Sequence, residues 1–123
     1  KVTEGTIRIR LKKLEKKKVI LRYVALLDTA KLGMHYIKLH FHTKNINGNK
    51  LREIREFAHL HPNILYGNDS VGGHFLEFDL NVESHEHLYH IIDQFREQFA
   101  DVIRDYEFFE YIQEHKFEYL PKD

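Results

Sequence analysis

The sequence predicts an α+β fold for residues 34–123, with strands and helices in the order β-α-β-β-α-β. Apolar and polar residues alternate with the two-residue period of a β-strand in residues 34–43 and 74–82. Apolar residues recur at the spacing of one helix face in residues 51–58 and 88–99. Stretches rich in asparagine, glycine and proline separate these segments and predict the turns between them.

The first half of this domain is predicted as a strand, a helix and a second strand. The turn NINGN at residues 45–49 ends the first strand, and a helix over residues 51–58 follows it. Pro62 marks the end of the helix, because proline disfavours helical backbone in the residue before it. The second strand begins with residues 64–66 and runs towards the turn SVGG at residues 70–73.

The second half repeats the pattern as a strand, a helix and a strand. Residues 74–82 form the third strand, and Ser84 is predicted to cap the second helix with its hydroxyl group. The fourth strand covers residues 103–112. The complete order is the ferredoxin-like, split βαβ pattern, which predicts a four-stranded antiparallel sheet with both helices on one face.

The opposite face of the sheet is predicted to mix charges of both signs with aromatic groups. Such a face is uncommon if left bare, so we interpret it as a self-association surface, where Lys38 and Glu77 can pair across strands or subunits. An RNA-binding platform is the rival on this fold, but it requires a basic aromatic motif that the sequence lacks. The residues of this predicted face are Lys38, His40, His42, Phe75, Glu77, Asp79, Phe109 and Tyr111.

A basic helix and a further strand are predicted before this domain. Thr3 is placed to cap the helix. Ile7, Leu11 and Leu14 form an apolar stripe along one side of it, and lysines and arginines occupy the other directions. Residues 19–27 are aliphatic and β-branched in alternation, which predicts a strand that ends in a turn.

Charge is divided unevenly along the chain, although the formal net charge is zero. Residues 1–22 contain nine lysines and arginines against two glutamates, a net charge of +7, so the remaining residues carry −7. A cationic segment of this size indicates a polyanionic partner such as nucleic acid. The alternative is a solvated helix face without a partner.

Length and composition limit the classes of protein that fit. A chain of 123 residues with 42% hydrophobic residues forms one domain with a short extension. The absence of cysteine excludes disulfides and zinc–thiolate sites and fits a reducing compartment. No apolar run reaches the roughly 20 residues of a membrane span, so we expect a cytoplasmic protein without membrane contact. The chain begins with Lys1 rather than methionine, which suggests part of a longer product.

The junction between the basic helix and the domain carries a recognisable motif. Residues 6–33 read TIRIRLKKLEKKKVILRYVALLDTAKLG. This segment resembles the corresponding junction of the Lrp/AsnC (leucine-responsive, feast/famine) transcription regulators, which read roughly TVxxRIxxLExxGVIxxYxAxLDxxxLG. The β-α-β-β-α-β order of the residues that follow is also the order of the family's ligand-sensing domain.

The resemblance implies a DNA-binding role for the basic helix. In the family, the matching helix is the recognition helix of a helix-turn-helix, which enters the major groove of double-stranded DNA. Residues 1–18 would then be a partial helix-turn-helix, lacking the two helices that precede the recognition helix in the family. The implied contacts to bases and phosphates are made by Thr6, Arg8, Arg10, Lys12, Lys13 and Lys17.

The resemblance also assigns roles to the remainder of the chain. Residues 19–33 would form a hinge strand and linker that pairs between subunits, and residues 34–123 a sensing and dimerisation domain. The implied assembly is a homodimer or a higher even-numbered oligomer. A small effector, for which an amino acid is one candidate, would bind near the loop formed by Ser70, Gly72, Gly73, His74 and Phe75.

Two positions depart from the family pattern. Lys18 stands where the family has a helix-ending glycine, and a left-handed backbone there costs roughly 1 kcal/mol in a residue other than glycine. The loop around Gly73 lacks the carboxylate that amino-acid sensors of the family carry, so the identity of the effector stays open.

The ten histidines raise the alternative of a metal site. His87 and His90 have a usable i,i+3 spacing, but no cysteine or recognised metal signature accompanies them, so we expect no metal and no cofactor. Phosphate-binding loops and nucleophile motifs are also absent from the sequence, which predicts a protein that is not an enzyme. The alternatives are a tetrapyrrole (haem-precursor) decarboxylase-like enzyme of the same overall plan, and a ligand-sensing module without DNA binding.

Overall fold

The computed structural model describes residues 2–69, 75–113, 115, 116 and 118. Within these residues, the predicted β-α-β-β-α-β order is confirmed, and a helix precedes it. None of the helices in this part of the chain is both long and apolar enough to cross a membrane. In chain order, the elements are α1 Glu4–Lys16, a 3₁₀-helix Thr29–Leu32, β1 His35–Thr43, α2 Gly48–Leu60, β2 Ile64–Asp69, β3 Phe75–Val82, α3 His85–Gln98 and β4 Ile103–Tyr111.

The four strands form one antiparallel sheet in the order β2-β3-β1-β4. β1 pairs with both β3 and β4, while β2 pairs with β3. In this register, Leu39 of β1 lies opposite Phe78 of β3 and Phe108 of β4. β2 and β4 are therefore the two edges of the sheet that the described residues form.

Both α2 and α3 cover the same face of the sheet, as predicted. Apolar side chains at alternate positions of β1 and β3 are buried against them, because successive side chains of a strand point to opposite faces. Phe95 of α3 lies at the centre, with its ring centroid 4.9 Å from that of Phe41 and 4.8 Å from that of Phe57. The largest fully buried side chains are those of Ile37, Leu39, Phe41, Ile54, Leu80, Val82, Leu88, Ile91, Ile92, Phe95 and Phe99.

Side-chain caps begin the three α-helices. Thr3 and Ser84, both predicted as caps, each accept a hydrogen bond from the backbone N–H three residues later, at 3.3 and 3.1 Å. Asn47 caps α2 in the same way, with its side-chain oxygen 2.9 Å from the backbone nitrogen three residues later. These bonds satisfy backbone donors that the first turn of a helix leaves without a partner.

Residues 19–27, predicted as a strand that pairs between subunits, form no strand among the described residues of a single chain. Residues 21–28 have no regular secondary structure and connect the end of α1 to the 3₁₀-helix. Their aliphatic side chains are exposed, Leu21 and Leu26 by 81% each. A strand needs a neighbouring strand for its backbone hydrogen bonds, and no strand of the described residues lies beside this segment.

Lys18 stands at the position of a helix-ending glycine in the family that residues 6–33 resemble, and it adopts the left-handed backbone conformation expected there, with a φ of 55°. Its backbone N–H donates to the carbonyl of Glu15 at 2.9 Å, and the N–H of Val19 donates to the carbonyl of Leu14 at 2.9 Å. This helix-ending geometry favours glycine, which has no Cβ to collide with the backbone. A strained lysine therefore ends the basic helix.

Replacing Lys18 with glycine is expected to stabilise the end of α1, because glycine avoids a steric cost of roughly 1 kcal/mol. Amide hydrogen exchange at positions 18 and 19 should slow by about fivefold, which corresponds to that energy. Lys17→Gly is the matched control, since Lys17 has a right-handed backbone with a φ of −80° and should gain no protection. Equal effects of the two substitutions would show that strain at Lys18 is not the cause.

Candidate nucleic-acid interface

The predicted DNA-contacting residues lie on α1 and directly after it, and no residue of α1 is buried. Thr6 is partly covered, because its hydroxyl oxygen lies 2.9 Å from that of the capping Thr3. The other members of the predicted set project into solvent, where a polyanion can reach them. They are Arg8, Arg10, Lys12, Lys13 and Lys17.

Arg8 is held by Glu4, which lies one helical turn earlier. Its Nε and Nη2 atoms donate hydrogen bonds to Oε1 of Glu4, at 2.9 and 2.6 Å. Both side chains are largely exposed, so this pair adds little to the stability of the fold. Its physical effect is to favour one direction of the guanidinium group over the others.

The predicted apolar stripe of α1 is exposed in the described part of the chain. Leu11 and Leu14 are 37% and 38% exposed, and Ile7 is 48% exposed. An amphipathic helix ordinarily buries its apolar side against a neighbouring element. The described residues provide no element that buries this stripe.

One side-chain hydrogen bond joins the segment after α1 to the helix. The hydroxyl group of Tyr23 donates to Oε1 of Glu15 at 2.7 Å. This hydrogen bond to a carboxylate raises the pKa of Tyr23 above its ordinary value. Because Glu15 belongs to α1, the bond limits how far the segment can swing away from the helix.

The predicted effector loop lies mostly outside the described residues. Ser70, Gly72, Gly73 and His74 are outside them, and Phe75 is the first residue of β3. The flanking strands β2 and β3 pair up to Asp69, which lies opposite Leu76. The described parts of β2 and β3 therefore form a hairpin that is paired up to these residues.

A cavity of about 340 Å³ lies beside that hairpin and is lined by α2, β2 and β3. Its lining includes Arg55 and His59 of α2 and Tyr66 of β2, and the described lining residues include no carboxylate. Gly67 lies close to the ring of Phe78, since a Cβ atom at Gly67 would be 3.3 Å from that ring. Arg55 contributes a positive charge to the described lining of this cavity.

The sheet face opposite the helices carries ion pairs, as predicted. Nζ of Lys38 lies 3.5 Å from Oδ1 of Asp79 and 4.0 Å from Oε2 of Glu77. Asp79 is 7% exposed even though it lies on this open face. Burial, together with the charge and hydrogen bond of Asp79, raises the pKa of Tyr36 to about 12, so the Tyr36 hydroxyl keeps its proton.

Aromatic side chains complete this open face, and the predicted positions of Phe109 and Tyr111 are confirmed. The ring of Phe109 lies 5.5 Å from that of His40, and the ring of Tyr111 lies 5.1 Å from that of Tyr36. Nδ1 of His40 also lies 3.4 Å from Oε1 of Glu107 in β4. Aromatic groups set among charged side chains are typical of surfaces that bind another protein.

The structure brings together a histidine–glutamate cluster that sequence reasoning missed. Nδ1 of His35 lies 2.6 Å from one carboxylate oxygen of Glu110, and Nε2 of His85 lies 3.0 Å from the other. The hydrogen bond with His35, and then that with His85, lowers the pKa of Glu110 below its ordinary value. His35 and Glu110 are 75 residues apart in the chain, so no local spacing could indicate the contact.

Histidines also line a groove of about 780 Å³ between α2 and α3. Nε2 of His61 lies 3.1 Å from the side-chain oxygen of Gln94, whose nitrogen lies 3.3 Å from Nε2 of His90. His87 belongs to the same lining. In the part of the chain that the structure describes, no three histidine, aspartate or glutamate side chains are arranged to hold a metal ion.

No protein-family model and no curated protein matches the chain, but solved structures do. A transcriptional regulator of Neisseria meningitidis in complex with L-methionine has a TM-score of 0.76 at 16% identity, covering 96% of this chain and 76% of that one. An AsnC family transcriptional regulator from Agrobacterium tumefaciens has a TM-score of 0.72 at 22% identity, and the match covers 97% of this chain and 77% of that one. AsnC of E. coli has a TM-score of 0.74 at 14% identity, and the match covers 97% of this chain and 78% of that one.

These likenesses establish the fold of the chain as that of AsnC/Lrp transcription regulators. They confirm, at the level of the fold, both the resemblance found in residues 6–33 and the predicted ferredoxin-like sheet. The matched proteins are named as regulators of transcription.

Replacing Glu110 with glutamine is expected to destabilise the protein at neutral pH but not in acid. A lowered pKa means that the stabilisation is present above the ordinary pKa of glutamate, about 4.3, and disappears as the pH falls through the lower native value. Urea unfolding of wild type and variant at about pH 7 and about pH 3 measures this difference. Glu56→Gln on the exposed side of α2 is the control, and a pH-independent loss in Glu110→Gln would contradict the assignment.

Proposed function

We propose that the protein is a DNA-binding transcription regulator of the Lrp/AsnC type, in which α1 is the recognition helix. The observation that carries this proposal is an exposed cationic helix joined to a sheet domain with the fold of these regulators. The major groove of B-DNA admits an α-helix, and cationic side chains on it meet phosphates on both sides. The protein acts in the cytoplasm as a regulator and not as an enzyme.

The cationic residues of α1 are suited to two kinds of contact. The planar guanidinium groups of arginines bond guanine in bidentate fashion, whereas lysines neutralise phosphates and fix the position of the helix on the duplex. The apolar stripe on the other side of α1 supports the proposal, because a recognition helix packs that side against the other helices of its motif. The residues proposed for the DNA contacts are Thr6, Arg8, Arg10, Lys12, Lys13 and Lys17.

We also propose a homodimer, alone or within a higher even-numbered oligomer. Residues 21–27 expose aliphatic side chains on a segment without regular secondary structure, which two copies related by a two-fold axis can pair with one another as strands. The open sheet face adds Phe109 and Tyr111, both about half-exposed, to the contact. In this arrangement residues 1–18 belong to the helix-turn-helix, residues 19–33 are hinge and linker, and residues 34–123 sense and dimerise.

The proposed effector is a small molecule that binds near residues 70–75, beside the cavity at the β2–β3 hairpin. The cavity beside this hairpin, lined in part by Arg55, His59 and Tyr66, supports a small ligand at this place. An amino acid is one candidate, since the similar regulator of Neisseria meningitidis was solved with L-methionine.

The intact protein is expected to bind duplex DNA with an affinity that falls steeply with salt, because each neutralised phosphate releases counterions. Replacing Lys12, Lys13 and Lys17 together with alanine should make the plot of log affinity against log salt concentration shallower by about 2.7, or about 0.9 for each lost phosphate contact. Fluorescence anisotropy of a labelled duplex at several salt concentrations measures this slope.

The control for that triple variant removes three arginines of the sheet domain, Arg52, Arg96 and Arg104, and so changes the net charge equally. Its salt dependence should match that of wild type. Salt-independent binding, no binding, or the same slope in both variants would refute the assignment of α1 as the DNA-contacting element.

Phe109→Asp is expected to convert the dimer to a monomer, because it places a charge at the centre of the proposed interface. Sedimentation velocity measures the change in mass. Tyr89→Asp on α3 is the matched control, since Tyr89 is 47% exposed and Phe109 53%, but Tyr89 lies on the helix side of the sheet. Loss of the dimer in both variants, or in neither, would argue against the open sheet face as the interface.

A further inference from the structure

Ile9 is an apolar residue on the side of α1 where cations are expected. It lies two residues after Ile7, which places it about 200° around the helix from the apolar stripe. It is 59% exposed, more than any of the three residues of the stripe. Its position between Arg8 and Arg10 cannot serve a core, because the core-facing side of an amphipathic helix is the stripe itself.

Gly5 lies one turn before Ile9, on the same side of α1. Apart from the adjacent residues and the backbone of the helix itself, no atom lies within 4 Å of the position that a Cβ atom at Gly5 would occupy, so this part of the helix surface is open and lacks a side chain. Helix backbone without a side chain can approach the floor of the major groove closely. The Ile9 side chain next to it would then reach the edges of the bases.

Arg8 is oriented on the flank of the same surface. Its Nε–H and one N–H of Nη2 are directed to a single oxygen of Glu4, at 2.9 and 2.6 Å. A guanidinium group has five N–H donors, so the Nη1 and remaining Nη2 donors stay available along one edge. Two parallel donors on one edge match the O6 and N7 acceptors of guanine.

We propose that α1 reads a guanine through Arg8, with Glu4 as the residue that positions it, and the methyl group of a neighbouring thymine through Ile9. This inference rests on the proposed DNA binding and adds which bases α1 discriminates. Arginine to guanine and an apolar group to the thymine methyl are both favourable contacts in the major groove. Phosphate contacts from the neighbouring lysines carry no such sequence information.

The charge of Glu4 separates this role from that of an ordinary surface ion pair. A carboxylate on a helix that approaches DNA is repelled by phosphates, so it lowers the affinity for every sequence. By orienting Arg8, however, the Glu4 carboxylate strengthens the contact between the guanidinium group and guanine. At a site that contains this guanine, the stronger contact offsets the repulsion by phosphates. Removal of the carboxylate should therefore change general affinity and guanine discrimination in opposite directions.

The test uses the full-length protein and a duplex selected from a randomised library. Each guanine of that duplex is replaced in turn by 7-deazaguanine, which lacks the N7 acceptor, and each thymine by uracil, which lacks the methyl group. Wild type should lose about tenfold in affinity at one guanine, within the range for a bidentate contact. It should lose about fourfold at a neighbouring thymine, which is the worth of one buried methylene group.

Glu4→Gln should reduce the discrimination at that guanine by at least threefold, while its affinity for an unselected duplex stays equal or rises. Glu15→Gln is the matched control: Glu15 lies eleven residues later, close to three full turns, and so carries the same charge on the same side without contacting Arg8. It should raise general affinity and keep guanine discrimination. Ile9→Ala should abolish the difference between thymine and uracil, whereas Ile9→Val, which loses only the Cδ1 carbon and keeps the branched Cβ, should preserve most of it.

The outcomes distinguish this inference from the proposed function. Equal guanine discrimination in Glu4→Gln and Glu15→Gln would overturn the positioning role, and equal affinities of wild type for thymine and uracil would overturn the role of Ile9. In both cases salt-dependent binding through α1 would persist. If the protein selects no duplex at all, the proposed function fails, and this inference fails with it.

Discussion

The packing of Phe95 between two helices and the sheet is the interaction on which the rest of the structure depends. Its ring centroid lies 4.9 Å from that of Phe41 in β1, 4.8 Å from Phe57 in α2 and 5.4 Å from Phe78 in β3. Rings at such separations add favourable geometry to the large area that they bury. Because these rings meet on one face of the sheet, burial is completed there, and the opposite face is left to the alternate, polar residues of the same strands.

One-sided burial accounts for the chemistry of the open face. Asp79 is almost completely covered, and a carboxylate in that position needs charged or hydrogen-bonding partners, which Lys38 and Tyr36 supply. A purely apolar partner surface would remove water from Lys38 and Glu77 without replacing their hydrogen bonds, at a cost of several kcal/mol. A second copy of the same face supplies lysine, carboxylates and imidazoles, so self-association suits this surface better than an apolar ligand does.

The sheet domain could be predicted because apolar residues recur every two residues in its strands and at helical spacing in its helices. Both spacings indicate that one side of each element is buried. Over residues 19–27 alternation specifies only an extended backbone, because a strand also requires a partner, and the described residues of one chain place none beside this segment. The contacts of Glu110 with His35 and His85 could not be predicted, since they form only after β1 and β4 have paired. The bond between Glu4 and Arg8 was open to prediction from its i,i+4 spacing, but the charge count treated both as isolated charges.

In the proposed complex with DNA, the division of charge leaves base discrimination to few residues. The net charge of +7 on residues 1–22 and −7 on the remainder would cancel at long range. At physiological ionic strength, however, screening acts over about 8 Å, well short of the roughly 20 Å length of α1. The acidic remainder therefore repels DNA that approaches the sheet domain without weakening the attraction at α1. Attraction by lysines is the same for every sequence, so discrimination is left to side chains that are apolar, such as Ile9, or held in one direction, such as Arg8.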